Sequence, residues 1–221
     1  MNLNFKQFLM EEMPSGYTRL AIFDFDDTLV FTPTPEEGIP AYEKNTGKPW
    51  KVGDKDTALQ HGFSKDFRRT GWWGRKETLQ SPIFEPTTDI LNHSVAQTFK
   101  QFKDDPSTYV VVMTGRVANA GDRIKEILNA YNIHADEYFF QGQKDIAKDP
   151  RYPRIQDTFA YKSFVISHRL MSPEIQIVEI FDDREEHIPK FVQLGKDLKQ
   201  NWPKLQSVII HDVRQNKNYT A

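Results

Sequence analysis

Two pairs of carboxylates in this chain each follow an apolar run. In Phe23-Asp-Phe-Asp-Asp-Thr-Leu-Val30, Asp24 and Asp26 are one residue apart. Side chains on extended backbone alternate with period two, so both acids point in nearly the same direction. One could attack an electrophile while the other handles protons. A solvated turn or a calcium loop would use the same string. The second pair is Asp182 and Asp183, in Ile180-Phe-Asp-Asp-Arg184. Paired carboxylates at a sheet rim are costly without a cation, and an oxygen-lined site with few protein ligands suits Mg²⁺. Between the pairs lies Val110-Val-Val-Met-Thr-Gly-Arg116. Thr114 and Gly115, read as a strand end followed by a helix start, offer a hydroxyl and backbone N–H groups to an anion. A helix cap with a turn glycine would look the same. The last candidate, Lys162, falls in Thr158-Phe-Ala-Tyr-Lys-Ser163 on an expected helix, where most lysines are merely solvated.

The elements that must hold these residues alternate. Arg19 to Phe25 reads as an apolar strand ending in acids. Leu91, Val95, Phe99 and Phe102 then recur at helical spacing, and Tyr109 to Met113 is a β-branched run typical of a buried strand. A helix through Ile124, Ile127, Leu128 and Tyr131 follows, then a strand over Glu137 to Phe140 and a helix from about Asp157 to Leu170. A strand from Ile175 to Phe181, a helix from Glu185 to Leu198 and a strand from Ser207 to Ile210 complete the series. Such alternation implies an α/β fold: a Rossmann-like, doubly wound parallel sheet with helices on both faces. Ligands in these sheets bind beyond the carboxyl ends of the strands, where all four motifs fall. Residues 17–30 and 87–221 form the expected core. The stretch 31–86, rich in Pro, Gly, Lys and Trp, breaks the alternation and reads as a small inserted cap after the first strand. Residues 1–16 form an amphipathic segment in which Leu3, Phe5, Phe8 and Leu9 have helical spacing.

Composition narrows the classes. Leu, Ile, Val and Phe make up about a quarter of the 221 residues, above the roughly 20% below which chains stay disordered. The longest apolar runs are far shorter than the roughly 18 residues that cross a bilayer, so no membrane association is expected. No cysteine is present, which excludes disulfides, zinc-thiolate sites, Fe–S clusters and thiol catalysis. With 29 basic and 31 acidic residues the net charge is −2, which argues against a general basic coat for nucleic acid but leaves room for a local patch. The first 12 residues lack a secretory apolar core, so a cytoplasmic protein is expected. The same segment resembles the amino termini of proteins from large tailed bacteriophages, some of which use it for capsid targeting; a phage-encoded chain would work in the host cytoplasm or the virion.

Taken in order, strand-DxDxT, strand-Thr-Gly, helix-Lys and strand-Asp-Asp resemble the haloacid dehalogenase (HAD) superfamily of phosphatases, over most of the chain from Leu20 to about His211. The resemblance implies that Asp24 is a nucleophile forming an aspartyl-phosphate and that Asp26 protonates the leaving oxygen, then activates water. It further implies that Thr114, with Thr28 and Gly115, holds the phosphoryl oxygens, that Lys162 neutralises charge beside Asp24, and that Asp24, Asp182, Asp183 and the Asp26 carbonyl hold Mg²⁺. The arginines that directly follow two motifs, Arg116 and Arg184, are paired likewise in the 3′-phosphatase domain of phage-type polynucleotide kinase-phosphatase. The strings Phe31-Thr-Pro-Thr-Pro35, Gly71-Trp-Trp73, Asp122-Arg-Ile124 and Asp183-Arg-Glu-Glu-His-Ile188 are similar to the HAD domains of Swiss Army Knife RNA repair proteins. Arg116 and Arg184 are therefore candidate phosphate ligands, although either could pair with a nearby acid instead. His187 reads as structural.

In the cap, Lys65, Arg68, Arg69, Arg75 and Lys76 stand against a single acid, Asp66, with Phe67, Trp72 and Trp73 interleaved. Basic side chains beside aromatic platforms grip single-stranded nucleic acid, which makes Arg69, Trp72 and Trp73 candidate substrate contacts; the two tryptophans could equally form the small core of the cap. The sequence thus points to a Mg²⁺-dependent phosphomonoesterase acting on a phosphorylated nucleic-acid end, such as a 3′-phosphate, or on a nucleotide. A small-metabolite phosphatase of the same superfamily, and a non-catalytic phage structural or nucleic-acid-binding protein that keeps the fold, are the alternatives.

Overall fold

The computed structural model describes residues 16–47, 49, 72–73, 75–81, 83–85, 89–149, 151 and 157–221. The expected amino-terminal helix and the basic residues Lys65, Arg68 and Arg69 lie outside the described residues. Among the described residues, six strands form one sheet: β1 (Arg19–Phe23), β2 (Thr108–Val117), β3 (Glu137–Gln141), β4 (Ile177–Asp182), β5 (Ser207–Asp212) and β6 (Lys217–Thr220). Their spatial order is β3-β2-β1-β4-β5-β6, parallel except for the antiparallel β5–β6 pair. The chain runs outward from β1 to one side and then, through β4, to the other, which creates the reversal of strand order where such sheets bind ligands. The α/β doubly wound reading holds.

The helices are α1 (Pro35–Thr46), α2 (His93–Asp104), α3 (Gly121–Ala130), α4 (Lys144–Lys148), α5 (Thr158–Val165) and α6 (Ile188–Asn201). Alternation along the strands decides which face each one covers. Leu20, Ile22, Val111, Met113, Val178 and Ile180 bury one face under Tyr161, Phe164 and Val165 of α5 and Phe191, Leu194 and Leu198 of α6. Ala21, Phe23, Val110, Val112 and Phe181 bury the other under Val95 and Phe99 of α2 and Ile124, Ile127 and Leu128 of α3. The central strands are thus apolar on both sides, as buried parallel strands require.

Besides the short helix α4, which the sequence reading did not expect, three features differ from it. First, β2 does not stop at Met113 but continues to Val117, with an irregularity in its pairing to β3 between Thr114 and Val117; α3 begins only at Gly121. Thr114 and Gly115 therefore lie within an extended strand rather than at a helix amino terminus. Second, α1 occupies part of the expected irregular cap. Its start was marked in the sequence by Thr34-x-x-Glu37 with Pro35 at the first helical position, and the Glu37 carboxylate accepts from the Thr34 N–H at 2.9 Å. Third, β6 adds an edge strand. Its Lys-Asn-Tyr-Thr sequence is largely exposed and lacks the apolar alternation that would have signalled it.

The described part of residues 31–86 has its own small core, in which Trp72 and Ile83 pack with Ile39, Tyr42 and Trp73. Gly38 lets α1 approach: a Cβ there would sit 2.5 Å from the Trp72 ring.

Candidate active site

Register alone brings the acids of β1 and β4 together. Phe23 pairs with Phe181, so the next residues, Asp24 and Asp182, emerge side by side at the carboxyl edge, and the Asp24 N–H bonds the Phe181 carbonyl at 3.0 Å. After Asp24 the chain turns sharply. Asp27 takes a left-handed conformation with φ of 53°, its N–H bonds the Val30 carbonyl at 2.8 Å, and the N–H groups of Leu29 and Val30 return to the Phe25 carbonyl. An aspartate tolerates this backbone better than most side chains.

Lys162 joins the two strands electrostatically. It is 2% exposed, and its Nζ donates to Asp24 Oδ2 and to Asp182 Oδ2, each at 2.6 Å. Burial opposes its charge, but the two carboxylates more than compensate and hold its pKa above the usual lysine value. Burial also raises Asp24, helped by Asp182 and Asp26 and opposed by Lys162. Asp182 goes the other way: against burial, Lys162 and His187 hold it well below the usual carboxylate range. His187, buried against Phe159 and Phe191, places Nδ1 3.2 Å from Asp182 Oδ1, and the Arg184 N–H donates to that same oxygen at 3.0 Å.

Asp183 completes the group. Burial, then Asp24, Asp182 and Asp27, push it up to about 7. Asp24, Asp182 and Asp183 each offer an oxygen within 4.8 Å of the others. Three converging carboxylates with one lysine leave an excess of negative charge, and an all-oxygen donor set of this kind fits a hard divalent cation. Thr28 reaches this cluster through Asp183 Oδ1, at 3.4 Å.

Asp26 belongs to a different set of contacts. Arg116, 1% exposed, directs Nε at both Asp26 oxygens, at 2.8 and 2.9 Å, and its Nη2 lies 2.7 Å from Oδ1. Thr32 Oγ1 donates to Asp26 Oδ1 at 2.8 Å. From the stretch 31–86, Thr78 Oγ1 accepts from Arg116 Nη1 at 2.8 Å, and the Trp73 ring lies 5.5 Å from the guanidinium carbon. The bulge after Thr114 turns Arg116 onto Asp26, while the Thr114 hydroxyl accepts from the Arg116 N–H at 3.1 Å. Thus the pairing of an arginine with a nearby acid applies to Arg116. The Arg184 side chain, half-buried, has no ion pair among the described residues.

Trp72 is 4% exposed and donates its indole N–H to the Pro33 carbonyl at 2.9 Å, so it serves the small core of residues 31–86; Trp73 is partly open. Gly115 lies against the start of α5, where a Cβ would come 2.5 Å from Thr158 Cγ2. Thr32 and Thr78 were not singled out by sequence reasoning. Thr32 lies in irregular backbone and Thr78 in a short 3-10 helix, Lys76–Leu79, and their partners are set by tertiary contacts rather than by spacing.

Among the solved structures that match this chain are two of low similarity. "Structure of Pnkp1/Rnl/Hen1 complex" matches at 15% identity and a TM-score of 0.43, covering 87% of this chain and 45% of that one. "Structure of the Pnkp1/Rnl/Hen1 RNA repair complex" matches at 15% identity and a TM-score of 0.40, covering 80% and 40% respectively. This chain therefore spans less than half the length of those proteins. No curated protein matches it. Residues 55–221 match a family model; that span carries Thr114, Lys162, Asp182 and Asp183, with the Asp24 loop upstream of it. The chain belongs to HAD domain family 1 in Swiss Army Knife RNA repair proteins, which implies a hydrolase or phosphatase in general terms.

Proposed function

We propose that the protein is a Mg²⁺-dependent phosphomonoesterase that removes a terminal phosphate, as from a nucleic-acid 3′ end or a nucleotide, through an aspartyl-phosphate. The observation that carries this reading is Lys162 bridging Asp24 and Asp182 at 2.6 Å each, with Asp183 beside them. A buried cation on Asp24 favours its ionised, attacking form. Asp24 attacks phosphorus, the bond to the leaving oxygen breaks, and that oxygen takes a proton from Asp26. The Asp26 carboxylate then removes a proton from water, whose oxygen attacks the phosphorus and frees Asp24. Asp24, Asp182, Asp183 and the Asp26 carbonyl would hold Mg²⁺, which when bound supplies charge neutralisation on the phosphoryl oxygens. Thr114, Gly115 and Thr28 would position the phosphoryl group, with Arg184 available at the rim for a second phosphate.

The nucleic-acid assignment rests on the family, whose description names RNA repair proteins, and on the cap sequence. We read residues 31–86 as the cap that contacts the strand through Arg69 and the partly open Trp73, in a protein of the cytoplasm. Phe31, 52% exposed, adds an aromatic side chain one residue before Thr32.

A phosphatase screen with Mg²⁺ over 3′- and 5′-phosphorylated RNA and DNA oligonucleotides, nucleotides and sugar phosphates tests the reading. Oligonucleotides should be preferred, with a rate that falls as salt rises because phosphate contacts release counterions. Arg68→Ala with Arg69→Ala should cost at least about tenfold in kcat/KM on an oligonucleotide and leave p-nitrophenyl phosphate hydrolysis nearly unchanged. Equal losses on both, or a preference for sugar phosphates, would move the protein to the small-metabolite class. Inactivity on every ester would leave only a fold-retaining binding protein.

A further inference from the structure

We propose that Thr78, a cap residue, is a positioning residue for proton transfer, acting through Arg116 on Asp26. The inference rests on the phosphatase reading and adds to it a link from the cap to the acid. Thr78 is fully buried; its hydroxyl donates to the Arg75 carbonyl at 2.7 Å, which leaves its oxygen to accept from Arg116 Nη1 at 2.8 Å. The same guanidinium holds both Asp26 oxygens through Nε. Arg116 thus has one end fixed by the cap backbone, by way of Thr78, and the other end on the acid. Its side chain has several rotatable bonds, and β2 alone cannot specify where the guanidinium sits. Without the Thr78 hydroxyl, Nη1 keeps only its long contact to the Arg75 carbonyl, at 3.5 Å, and the guanidinium shifts toward that oxygen. Asp26, opposed then only by Thr32 Oγ1, loses its fixed orientation toward the leaving oxygen.

The consequence is specific to leaving groups that need a proton. An acidic phenol departs without one, whereas an alkoxide such as a sugar hydroxyl does not. Replacing Thr78 by valine preserves shape and removes the hydroxyl. Thr78→Val should lower kcat/KM at least about tenfold on an alkyl phosphate and less than about twofold on p-nitrophenyl phosphate, since general acid catalysis contributes about 10²–10⁴-fold. Because kcat/KM reports the first irreversible step, later hydrolysis of the aspartyl-phosphate does not mask the difference. Thr78→Ser, which keeps the hydroxyl, should restore both substrates to within about twofold of the parent. If the valine does not fold, Thr78→Ala carries the same expectation without a methyl against the guanidinium. Equal losses on the two esters, no loss on either, or a serine variant as impaired as the valine would overturn the proposal while the phosphatase reading stands. An unsubstituted protein inert toward both esters would overturn both.

Discussion

Replacing the Asp24 carboxylate with an amide changes one atom in a side chain that is 5% exposed and held by Lys162 and the Phe25 N–H. The amide cannot attack phosphorus, so Asp24→Asn should reduce hydrolysis by at least about 10³-fold while circular dichroism stays that of the parent. Turnover within tenfold of the parent would remove Asp24 from the nucleophile role. The residues around it were unevenly legible. Asp24 and Asp182 stood out because each follows a strand readable from its apolar pattern, whereas Lys162, inside a helix, drew its role only from the family resemblance. Once the register of β1 and β4 is set, their convergence follows. For Arg116 the sequence left two roles open, a phosphate ligand or the partner of a nearby acid, but did not name the acid; the bulge in β2 delivers it to Asp26, 90 positions away. Thr32 lay in a family-like string but carried no sign of its partner, and Thr78 carried no signal, because a hydroxyl that completes a buried network is chosen by what surrounds it in space.

At the scale of elements, the site depends on how closely β2 approaches α5. Gly115 permits that approach, and a methyl group there would press 2.5 Å from Thr158 Cγ2 and 2.9 Å from its Oγ1, at the first residue of the helix that carries Lys162. Overpacking of this kind costs about 1–3 kcal/mol, and any shift of α5 is passed to Lys162 one turn later. Gly115→Ala should therefore lower stability by about that amount in urea titration and reduce turnover, and adding Thr158→Ala should recover most of both. Failure of the second substitution to recover either would mean that Gly115 serves the site in another way. The strands and the long helices were recoverable because their faces bury apolar residues at period two or 3.6. The elements that were missed lack that periodicity: α1 holds a glycine and an internal proline, and β6 is a polar edge strand. The helix start expected after Gly115 shows the opposite error, where a turn-forming residue was read locally although pairing of Val117 with Gln141 extends the strand.

For the whole molecule, three carboxylates gathered at one sheet edge make folding stability depend on pH and on metal together. Without metal, burial and neighbouring acids push Asp183 up to about 7, above the usual carboxylate range it has in the unfolded chain. A group whose pKa is raised on folding favours the folded state below its unfolded value, and that contribution is lost as pH rises through the folded value. In excess chelator, stability should thus fall between about pH 5 and pH 8 by about 1–2 kcal/mol, or about 2–8 °C in Tm for a chain of this size. Asp182 works in the opposite sense, but its pKa is lowered, so its contribution is already complete at pH 5 and does not change across this window. Lys162 loses its proton only above the window, since its pKa is raised from the ordinary lysine value. A divalent cation that binds the folded state alone adds stability by mass action and favours the ionised carboxylates. Mg²⁺ should therefore raise Tm more at pH 8 than at pH 5, and Asp183→Asn should lessen the fall seen in chelator, the remainder coming from Asp24, which burial also raises. Thermal melts at both pH values, with chelator and with Mg²⁺, check this directly. A Tm in chelator that rises from pH 5 to pH 8, or a Mg²⁺ increment equal at both and unchanged in Asp183→Asn, would show that these acids are not the metal-linked group.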